Sequence, residues 1–208
     1  IVDPLEIDGK HRGRLMRSTE ELLAQGVDYC FVAVPTVLHE EVGLLLASAG
    51  VHALVEKPLA VDALSATALT EAFETAGLIG AVGHIERYNP ALRQARTRIE
   101  AGELGQIYQV VSRRQGPFPA RIADVGVVKD LATHDIDLTA WMAQQPYLSV
   151  AARTAHRTGR HHEDLVTVVG ELASGVVTSH IVNWLSPFKE RRTVISGERG
   201  TFVADTLT

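Results

Sequence analysis

The sequence predicts an α/β domain built on a doubly wound parallel sheet, followed by an α+β domain whose open sheet is mainly antiparallel. In the first 84 residues, short apolar runs alternate with helical segments. This alternation is typical of strand–helix–strand units, which form parallel sheets with right-handed crossovers. After His84 the alternation ends, and from Tyr147 onward short strands follow one another. We therefore place the first domain at residues 1–86 and the second at residues 87–208.

The strands of the first domain are short apolar runs, and proline ends two of them. Pro35 closes one run and Pro58 closes the next. Strands that are apolar on both faces are typical of parallel sheets that helices cover on both sides. The strands predicted in this domain lie over residues 28–34, 53–55 and 78–84, and Ile1-Val2-Asp3-Pro4 has the pattern of a strand end.

Capping residues delimit the helices between these strands. Ser18 is an N-cap candidate with Glu21 at the capping-box position, and Gly26 ends that helix. Asp62 is the N-cap candidate of a later helix. The helices predicted in this domain lie over residues 18–25, 40–49 and 62–76.

The stretch Val51-His-Ala-Leu-Val-Glu-Lys-Pro-Leu59 places a lysine at the end of a strand. The residue before a proline is restricted to extended geometry, so we expect Lys57 at the carboxyl end of its strand. In open α/β sheets, ligands bind just outside those carboxyl ends. Lys57, with Glu56 beside it, is therefore a candidate for acting on a small molecule. The alternative is a surface Glu–Lys pair at a strand exit.

The second domain begins with a helix whose start is marked by Asn89 and Pro90. Ser174-Gly175 is typical of a hairpin turn. We predict helices over residues 91–101 and 132–143, a loop over 120–130, and strands over 107–113, 148–153, 165–172, 176–185, 192–196 and 201–204. An open sheet leaves one face uncovered, so we expect a homodimer or homotetramer that forms through this C-terminal sheet.

A second candidate constellation is Asp130-x-x-x-His134. A spacing of four places both side chains on one face of a helix that has begun by Asp130. A carboxylate beside an imidazole fixes its tautomer and raises its basicity, which is the usual arrangement of a general base. Asp135 and Asp137 add negative charge nearby. The alternative is that Asp130 only caps the helix and His134 packs in a polar core.

Composition narrows the possible partners. The net charge is −5 and basic residues are scattered, which argues against nucleic acid. The single cysteine, Cys30, cannot form an internal disulfide, and no apolar stretch is long enough to span a bilayer. His161-His162-Glu163-Asp164 contains metal-ligand types, but a metal site needs ligands that converge from separate elements. We therefore expect a cytoplasmic protein with no membrane partner, no metal, and a solvated loop at residues 161–164.

Four stretches together resemble the glucose-fructose oxidoreductase, inositol dehydrogenase and rhizopine-catabolism (Gfo/Idh/MocA) family of NAD(P)-dependent oxidoreductases. They are Glu56-Lys57-Pro58, Pro35-Thr36 with His39, Gly83-His-Ile-Glu-Arg-Tyr-Asn-Pro90 and Asp130-Leu-Ala-Thr-His134-Asp-Ile-Asp137. The resemblance covers essentially the whole chain and implies a Rossmann-type first domain. Residues 113–128 and 183–187 look like the branch of UDP-N-acetylglucosamine 3-dehydrogenases, although relatives act on inositols and other sugars.

The resemblance implies oxidation of a secondary hydroxyl of a sugar or nucleotide sugar by hydride transfer to NAD. Lys57 would hydrogen-bond the reacting hydroxyl, His134 would accept its proton, and Asp130 would orient His134 or the sugar. Family members differ in whether the lysine or the histidine is the base, and the sequence does not decide between them. The implied cofactor-binding residues are Asp3, Pro35, Thr36, His39, Glu56 and Lys57. The implied substrate-binding residues are Arg87, Asn89, Lys57, Asp130 and His134.

The sequence departs from the family pattern at its start. No Gly-x-Gly-x-x-Gly occurs in it, and the family's phosphate loop would precede Ile1, so we expect a chain truncated at both ends. Asp3 favours NAD over NADP, because a carboxylate repels a 2′-phosphate.

Two other functions fit the same scaffold. One is an NAD-dependent glycosidase that works through transient oxidation at C3. The other is a non-catalytic regulator that senses a sugar or NAD. The presence of both Lys57 and His134 argues against the regulator, because a sensor needs no proton acceptor.

Overall fold

The computed structural model describes Val2 and residues 14–120, 122 and 125–207. The chain divides into two compact units, Ile1–Gly83 and His84–Thr208. The predicted cofactor residue Asp3 lies outside the described residues, so its role stays a prediction.

The first unit contains a three-stranded parallel sheet in the order β1-β2-β3. Its strands are β1 (Tyr29–Val32), β2 (His52–Val55) and β3 (Gly80–Val82), and its helices are α1 (Thr19–Leu23), α2 (His39–Ser48) and α3 (Ala63–Thr75). Val55 is in register with both Val32 and Val82, so the three carboxyl ends lie side by side. The predicted parallel sheet of the Rossmann type is confirmed.

Side-chain caps start the helices as the sequence predicts, with one difference. Ser18 Oγ accepts a hydrogen bond from the Glu21 backbone N–H at 3.2 Å, and Asp62 caps α3 through Ser65 N at 2.9 Å. The Glu21 carboxylate, however, accepts from the N–H of Arg17 at 2.9 Å, one residue before the position expected for a capping box.

The core of the first unit lies between the sheet and two helices. Ala53 and Val55 pack with Leu46 of α2 and Leu69 of α3. Leu54, which points away from this cluster, is only half-buried. We expected both faces of β2 to be buried. In the described part of the chain, only the face that carries Ala53 and Val55 is buried.

The second unit contains a six-stranded sheet in the order β5-β6-β7-β4-β8-β9. Its strands are β4 (Ile107–Pro117), β5 (Tyr147–Ala155), β6 (Leu165–Leu172), β7 (Val177–Asn183), β8 (Leu185–Gly197) and β9 (Gly200–Asp205). Only the β4–β7 pair is parallel, and the other pairs are antiparallel. The predicted mainly antiparallel sheet is thus confirmed. β8 is longer than predicted because it pairs with β4 as far as Leu185.

Two helices, α4 (Pro90–Glu100) and α5 (Thr133–Ala143), belong to this unit. Leu92 of α4 and Met142 of α5 share a buried cluster with Val110 and Ile195 of the sheet. Alternate strand residues such as Val169 are exposed. The predicted association through this sheet stays a prediction.

The helix that contains His134 begins earlier than the sequence predicts. A π-helical turn, Val128–Ala132, runs directly into α5 and begins within the segment predicted as a loop, residues 120–130. Glu163 stabilises this start, because its backbone carbonyl accepts from Val127 N at 3.0 Å and its carboxylate accepts from Val128 N at 3.1 Å. The cap comes from 35 residues further along the chain, so no local signal announces it.

No helix among the described residues combines the length and the apolar composition needed to cross a bilayer.

Two leucines on α3 test the core of the first unit. Leu69 is 1% exposed, whereas Leu64 is 84% exposed. We predict that Leu69→Ala lowers the free energy of unfolding by about 2–5 kcal/mol, because it leaves a cavity, and that Leu64→Ala changes it by less than about 0.5 kcal/mol. Hydrogen exchange in urea, followed in peptides from the first unit, measures the free energy of unfolding of both variants. Equal protection in the two would contradict this packing.

Candidate active site

The residues predicted to act in the first unit follow the ends of neighbouring strands. A 3₁₀ turn, Thr36–Leu38, leads from β1 into α2. Because β1 and β2 end in register, the segments that follow them start at the same edge of the sheet. The predicted residues at this edge are Pro35, Thr36, His39, Glu56 and Lys57.

His39 connects the segments that follow β1 and β2. Its ring is 1% exposed, with Nδ1 2.9 Å from the Pro58 carbonyl oxygen and Nε2 3.0 Å from the Val34 carbonyl oxygen. A carbonyl oxygen only accepts, so each ring nitrogen that bonds must donate. His39 therefore holds the backbone around Lys57 in place. Its predicted contact with the cofactor stays a prediction.

Gly83 allows β3 to end very close to β2. Its N–H donates to the Val55 carbonyl at 2.7 Å, and a Cβ built on it would lie 3.2 Å from Glu56 Cα. The Glu56 carboxylate accepts from the Lys57 N–H at 3.2 Å. A residue with a side chain would have to displace Glu56, so the glycine keeps this edge of the sheet closely packed.

This edge fits a dinucleotide. Ligands of open α/β sheets lie outside the carboxyl ends of the strands, and here three such ends are aligned. Pro35 is exposed, Lys57 is half-buried, and Gly83 projects no side chain. The predicted contacts of Pro35, Thr36, Glu56 and Lys57 with the cofactor stay predictions.

In the second unit, Asp130 lies in the π-helical turn and His134 in the first turn of α5. Asp130 N donates to the Gly126 carbonyl at 3.1 Å, so the helix has begun by Asp130, as the spacing argument requires. His134 is buried to 8% exposure, and Asp130 is half-buried. Their catalytic roles stay predictions.

Arg87 and Asn89, predicted to line the substrate pocket, both have partners within the second unit. The Arg87 guanidinium makes a two-point contact with Asp137, with Nε 2.9 Å from Oδ2. The hydrogen bond from Asp137 raises the pKa of Arg87, although partial burial opposes the shift. His84 Nδ1 lies 3.4 Å from the same carboxylate. Asn89 Oδ1 caps α4 by accepting from Ala91 N at 3.0 Å.

The sequence analysis missed a buried ionic group that we call the Arg114 cluster, made of Glu86, Arg114, Asp135 and Arg191. Arg114 Nε lies 3.1 Å from Asp135 Oδ1, and Arg114 Nη1 lies 2.9 Å from Glu86 Oε1. Arg191 Nη1 lies 3.5 Å from the same Glu86 oxygen. Arg114 is 4% exposed and Asp135 is 3% exposed. Asp135 Oδ2 has no hydrogen-bond partner among the described residues.

The two carboxylates of the Arg114 cluster respond in opposite directions. Burial raises the pKa of Asp135, and its contact with Arg114 does not offset this. Burial also disfavours ionised Glu86, but Arg114, His134 and Arg191 outweigh it and lower the pKa of Glu86. The difference arises because Asp135 is more deeply buried than Glu86 and also feels the charge of Glu86, whereas Glu86 faces two arginines.

A sequence signal for Arg114 exists. Val110, Ser112 and Arg114 alternate along β4, and all three are buried. In a strand, every second residue lies on the same face, so Val110 marks the inward face. An arginine on such a face needs a buried counter-ion.

A buried polar group also lies between the sheet and α5. His180 Nδ1 lies 2.8 Å from Ser112 Oγ, and His180 Nε2 lies 2.9 Å from Tyr147 Oη. Hydroxyls can donate or accept, so a neutral imidazole satisfies both contacts. Burial lowers the pKa of His180 to about 4. Burial likewise raises the pKa of Tyr147.

The segment at residues 161–164 is not a solvated loop throughout, which corrects the sequence prediction. Asp164 is buried and accepts from the N–H groups of Arg157 and Thr158, each at 2.8 Å, while Glu163 caps the start of the π-helical turn. These acidic side chains stabilise local backbone. In the described part of the chain, no three His, Cys, Asp or Glu side chains are grouped to hold a metal ion.

The parallel sheet of the first unit and the mainly antiparallel sheet of the second define the class of fold. Residues 8–84 match the oxidoreductase family with an NAD-binding Rossmann fold, and residues 92–203 match the GFO/IDH/MocA C-terminal domain. The chain belongs to the GFO/IDH/MocA family.

Two curated relatives and one solved structure give the context. UDP-N-acetylglucosamine 3-dehydrogenase from Acidithiobacillus ferrooxidans is 37% identical over 134 residues, covering 64% of this chain and 41% of the relative. Myo-inositol dehydrogenase Hyg17 from Streptomyces leeuwenhoekii is 36% identical over 139 residues, covering 65% and 43%. The chain thus matches about two-fifths of the length of each of these relatives.

The solved structure is the WlbA dehydrogenase from Bordetella pertussis, in complex with NADH and UDP-GlcNAcA. It superposes with a TM-score of 0.85 at 29% identity, covering 92% of this chain and 60% of that one.

His180 makes stability depend on pH. An unfolded imidazole titrates at about pH 6.5, whereas the folded pKa is about 4. Below pH 6.5 the unfolded state binds the additional proton, so acidification to pH 4 removes up to about 3 kcal/mol of stability through this group. The contribution is fully present above pH 6.5.

Urea unfolding at pH 7 and pH 4.5 tests this effect. We predict that His180→Gln loses less stability on acidification than the wild type does. His156→Gln, at an exposed position, should lose as much as the wild type. Identical losses in all three proteins would contradict the burial argument.

Proposed function

We propose that the protein is an NAD-dependent oxidoreductase that oxidises a secondary hydroxyl of a sugar or a nucleotide sugar. The observation that supports this most strongly is the position of Lys57. It follows β2, the middle strand of the parallel sheet, where His39 binds the Pro58 carbonyl oxygen beside it. An ammonium held at a nucleotide-binding edge is suited to binding an oxygen of the substrate.

In this proposal, each of the three candidate catalytic residues has a separate chemical role. Lys57 Nζ donates a hydrogen bond to the reacting hydroxyl and fixes the orientation of that oxygen. A ring nitrogen of His134 accepts the hydroxyl proton, and Asp130 orients the imidazole or the sugar. NAD, when bound, would accept a hydride from the carbon that carries this hydroxyl. The substrate would thereby become a carbonyl compound, with its hydroxyl proton on His134 and its hydride passed to the cofactor.

His134 is preferred to Lys57 as the proton acceptor for an electrostatic reason. An imidazole titrates near neutral pH and can take up a proton at the operating pH of most enzymes. The interaction of His134 with ionised Glu86 favours the protonated ring that the transfer produces. Lys57, which is half-buried after the end of β2, is left to donate the hydrogen bond that orients the hydroxyl.

Two substrate classes follow from the relatives. One is a UDP-linked N-acetylhexosamine, by analogy with the relative that is 37% identical. The other is an inositol, by analogy with the relative that is 36% identical. We favour the nucleotide sugar because the WlbA structure, with a TM-score of 0.85, also contains a UDP-sugar.

A substrate panel tests the proposed activity. The protein at its full natural length is mixed with NAD and with UDP-N-acetylglucosamine, its uronic acid, free hexoses or inositols, and NADH is followed by absorbance. We expect NADH with at least one UDP-sugar and none without substrate. Cleavage of a glycoside with no net NADH would instead identify the NAD-dependent glycosidase. Failure of the whole panel would contradict the dehydrogenase.

Lys57→Ala separates binding from turnover. We predict that turnover falls by about 10²–10⁴-fold, because the hydroxyl loses the group that orients it, while NADH binding measured by calorimetry changes little. Lys189→Ala removes the same charge at an exposed position and should behave as the wild type. Near-normal turnover in Lys57→Ala would exclude the proposed role.

A further inference from the structure

The Arg114 cluster contains more negative than positive charge in its buried part. Its two carboxylates, Glu86 and Asp135, bond to one buried arginine. The second arginine, Arg191, has 40% of its side chain exposed, so solvent screens its charge more strongly. With all groups ionised, the interior therefore holds one carboxylate charge that Arg114 does not neutralise.

His134 is the group on which this charge acts. It precedes Asp135 on α5, and its charge is among those that stabilise ionised Glu86. Electrostatic coupling between two titrating groups is mutual, so ionised Glu86 stabilises protonated His134 to the same extent. The other charged or titratable side chains on the segments next to His134 are Lys129, Asp130, Asp137, His84 and Arg87, of which Asp137 and Arg87 bind each other.

We propose that Glu86, held by Arg114, is a positioning residue that supplies the counter-charge for the His134 imidazolium. The proposal rests on the function proposed above for His134. When the hydroxyl proton moves to the ring, His134 gains a positive charge within a buried part of the unit. A pre-formed anion there stabilises the charge as it develops and needs no reorganisation.

The geometry gives Arg114 and Asp135 distinct parts in this arrangement. Arg114 lies between Glu86 and Asp135 and keeps both carboxylates in fixed positions, since a guanidinium presents several donors in one plane. Asp135 is the residue next to His134 and is bonded to Arg114 through Oδ1. This contact anchors α5 to β4 and thereby fixes the direction in which His134 leaves the helix.

The proposal is tested by titrating His134 itself. The imidazole signals of the protein are followed by NMR as a function of pH, and His134→Gln identifies the signal of interest. We expect Glu86→Gln, which keeps the shape and removes the charge, to lower the midpoint of His134 by on the order of one pH unit. Glu103→Gln removes a charge that pairs with exposed Arg98 and should leave the midpoint unchanged.

A second variant, for which the expected shift of the His134 midpoint has the opposite sign, distinguishes the proposal from a general loss of structure. Arg191→Gln removes a partly exposed positive charge and should raise the midpoint of His134. Unfolding would give both variants the same unperturbed value near about 6.5, whereas the proposal requires shifts in opposite directions. Unchanged midpoints in folded Glu86→Gln and Arg191→Gln would overturn it.

Activity provides the second readout. If His134 must be deprotonated to act, the acidic limb of the pH–rate profile moves to lower pH in Glu86→Gln, by the same amount as the NMR midpoint. Glu86→Asp retains the charge and should restore most of the wild-type profile. A moved NMR midpoint in a protein that lacks dehydrogenase activity would support the counter-charge and reject only the proposed function. A profile that stays fixed while the midpoint moves would separate Glu86 from turnover and overturn its proposed role there.

Discussion

The arrangement of the second unit around His134 depends on one buried guanidinium. Arg114 projects from β4 and binds carboxylates from two other segments, the 3₁₀ turn that contains Glu86 and the first turn of α5. A buried charge without a partner costs several kcal/mol, so the three segments are bound to one geometry. Such a pair need not be more stable than an apolar replacement. Its effect is to specify the geometry and to determine the charge near the imidazole.

The first unit uses hydrogen bonds to the backbone for a similar purpose. Its edge at Lys57 is held by hydrogen bonds to backbone carbonyls, from the N–H groups of Glu56 and Gly83 and from the ring of His39. Gly83 contributes by leaving room for Glu56. Both units thus place a candidate catalytic side chain on a short turn and fix the turn through a buried polar residue. Precise placement of this kind is what proximity effects in catalysis require.

The periodicity of apolar residues, together with the proline, glycine and capping residues that end the elements, was sufficient to predict most of the fold. The strand–helix alternation gave the parallel sheet, and the pre-proline lysine was correctly expected at a strand end. The start of the His134 helix was not predicted, because its cap is Glu163, which is distant in sequence. The Arg114 cluster was missed for a related reason. A charged residue in a strand suggests a solvent-facing position until its burial beside Val110 and Ser112 is known.

The acidic side chains near His134 differ in how well residue spacing alone predicts their surroundings. Asp130 and His134 do share one helix, as their separation predicts. The same helix also contains Asp135 and Asp137, whose arginine partners come from β4 and from the 3₁₀ turn. These long-range pairs determine which of the acidic side chains are neutralised. The sequence could therefore indicate the helix and the imidazole but not the charge that surrounds the imidazole.

In the proposed function, the protein removes a hydride from a secondary carbinol carbon and passes it to NAD. The most direct test uses UDP-N-acetylglucosamine that carries deuterium at C3, with mass spectrometry of the reduced cofactor. We predict that the deuterium appears in the nicotinamide of NADH. Recovery of the label in water would contradict hydride transfer, and unlabelled NADH formed from the labelled substrate would contradict transfer from C3.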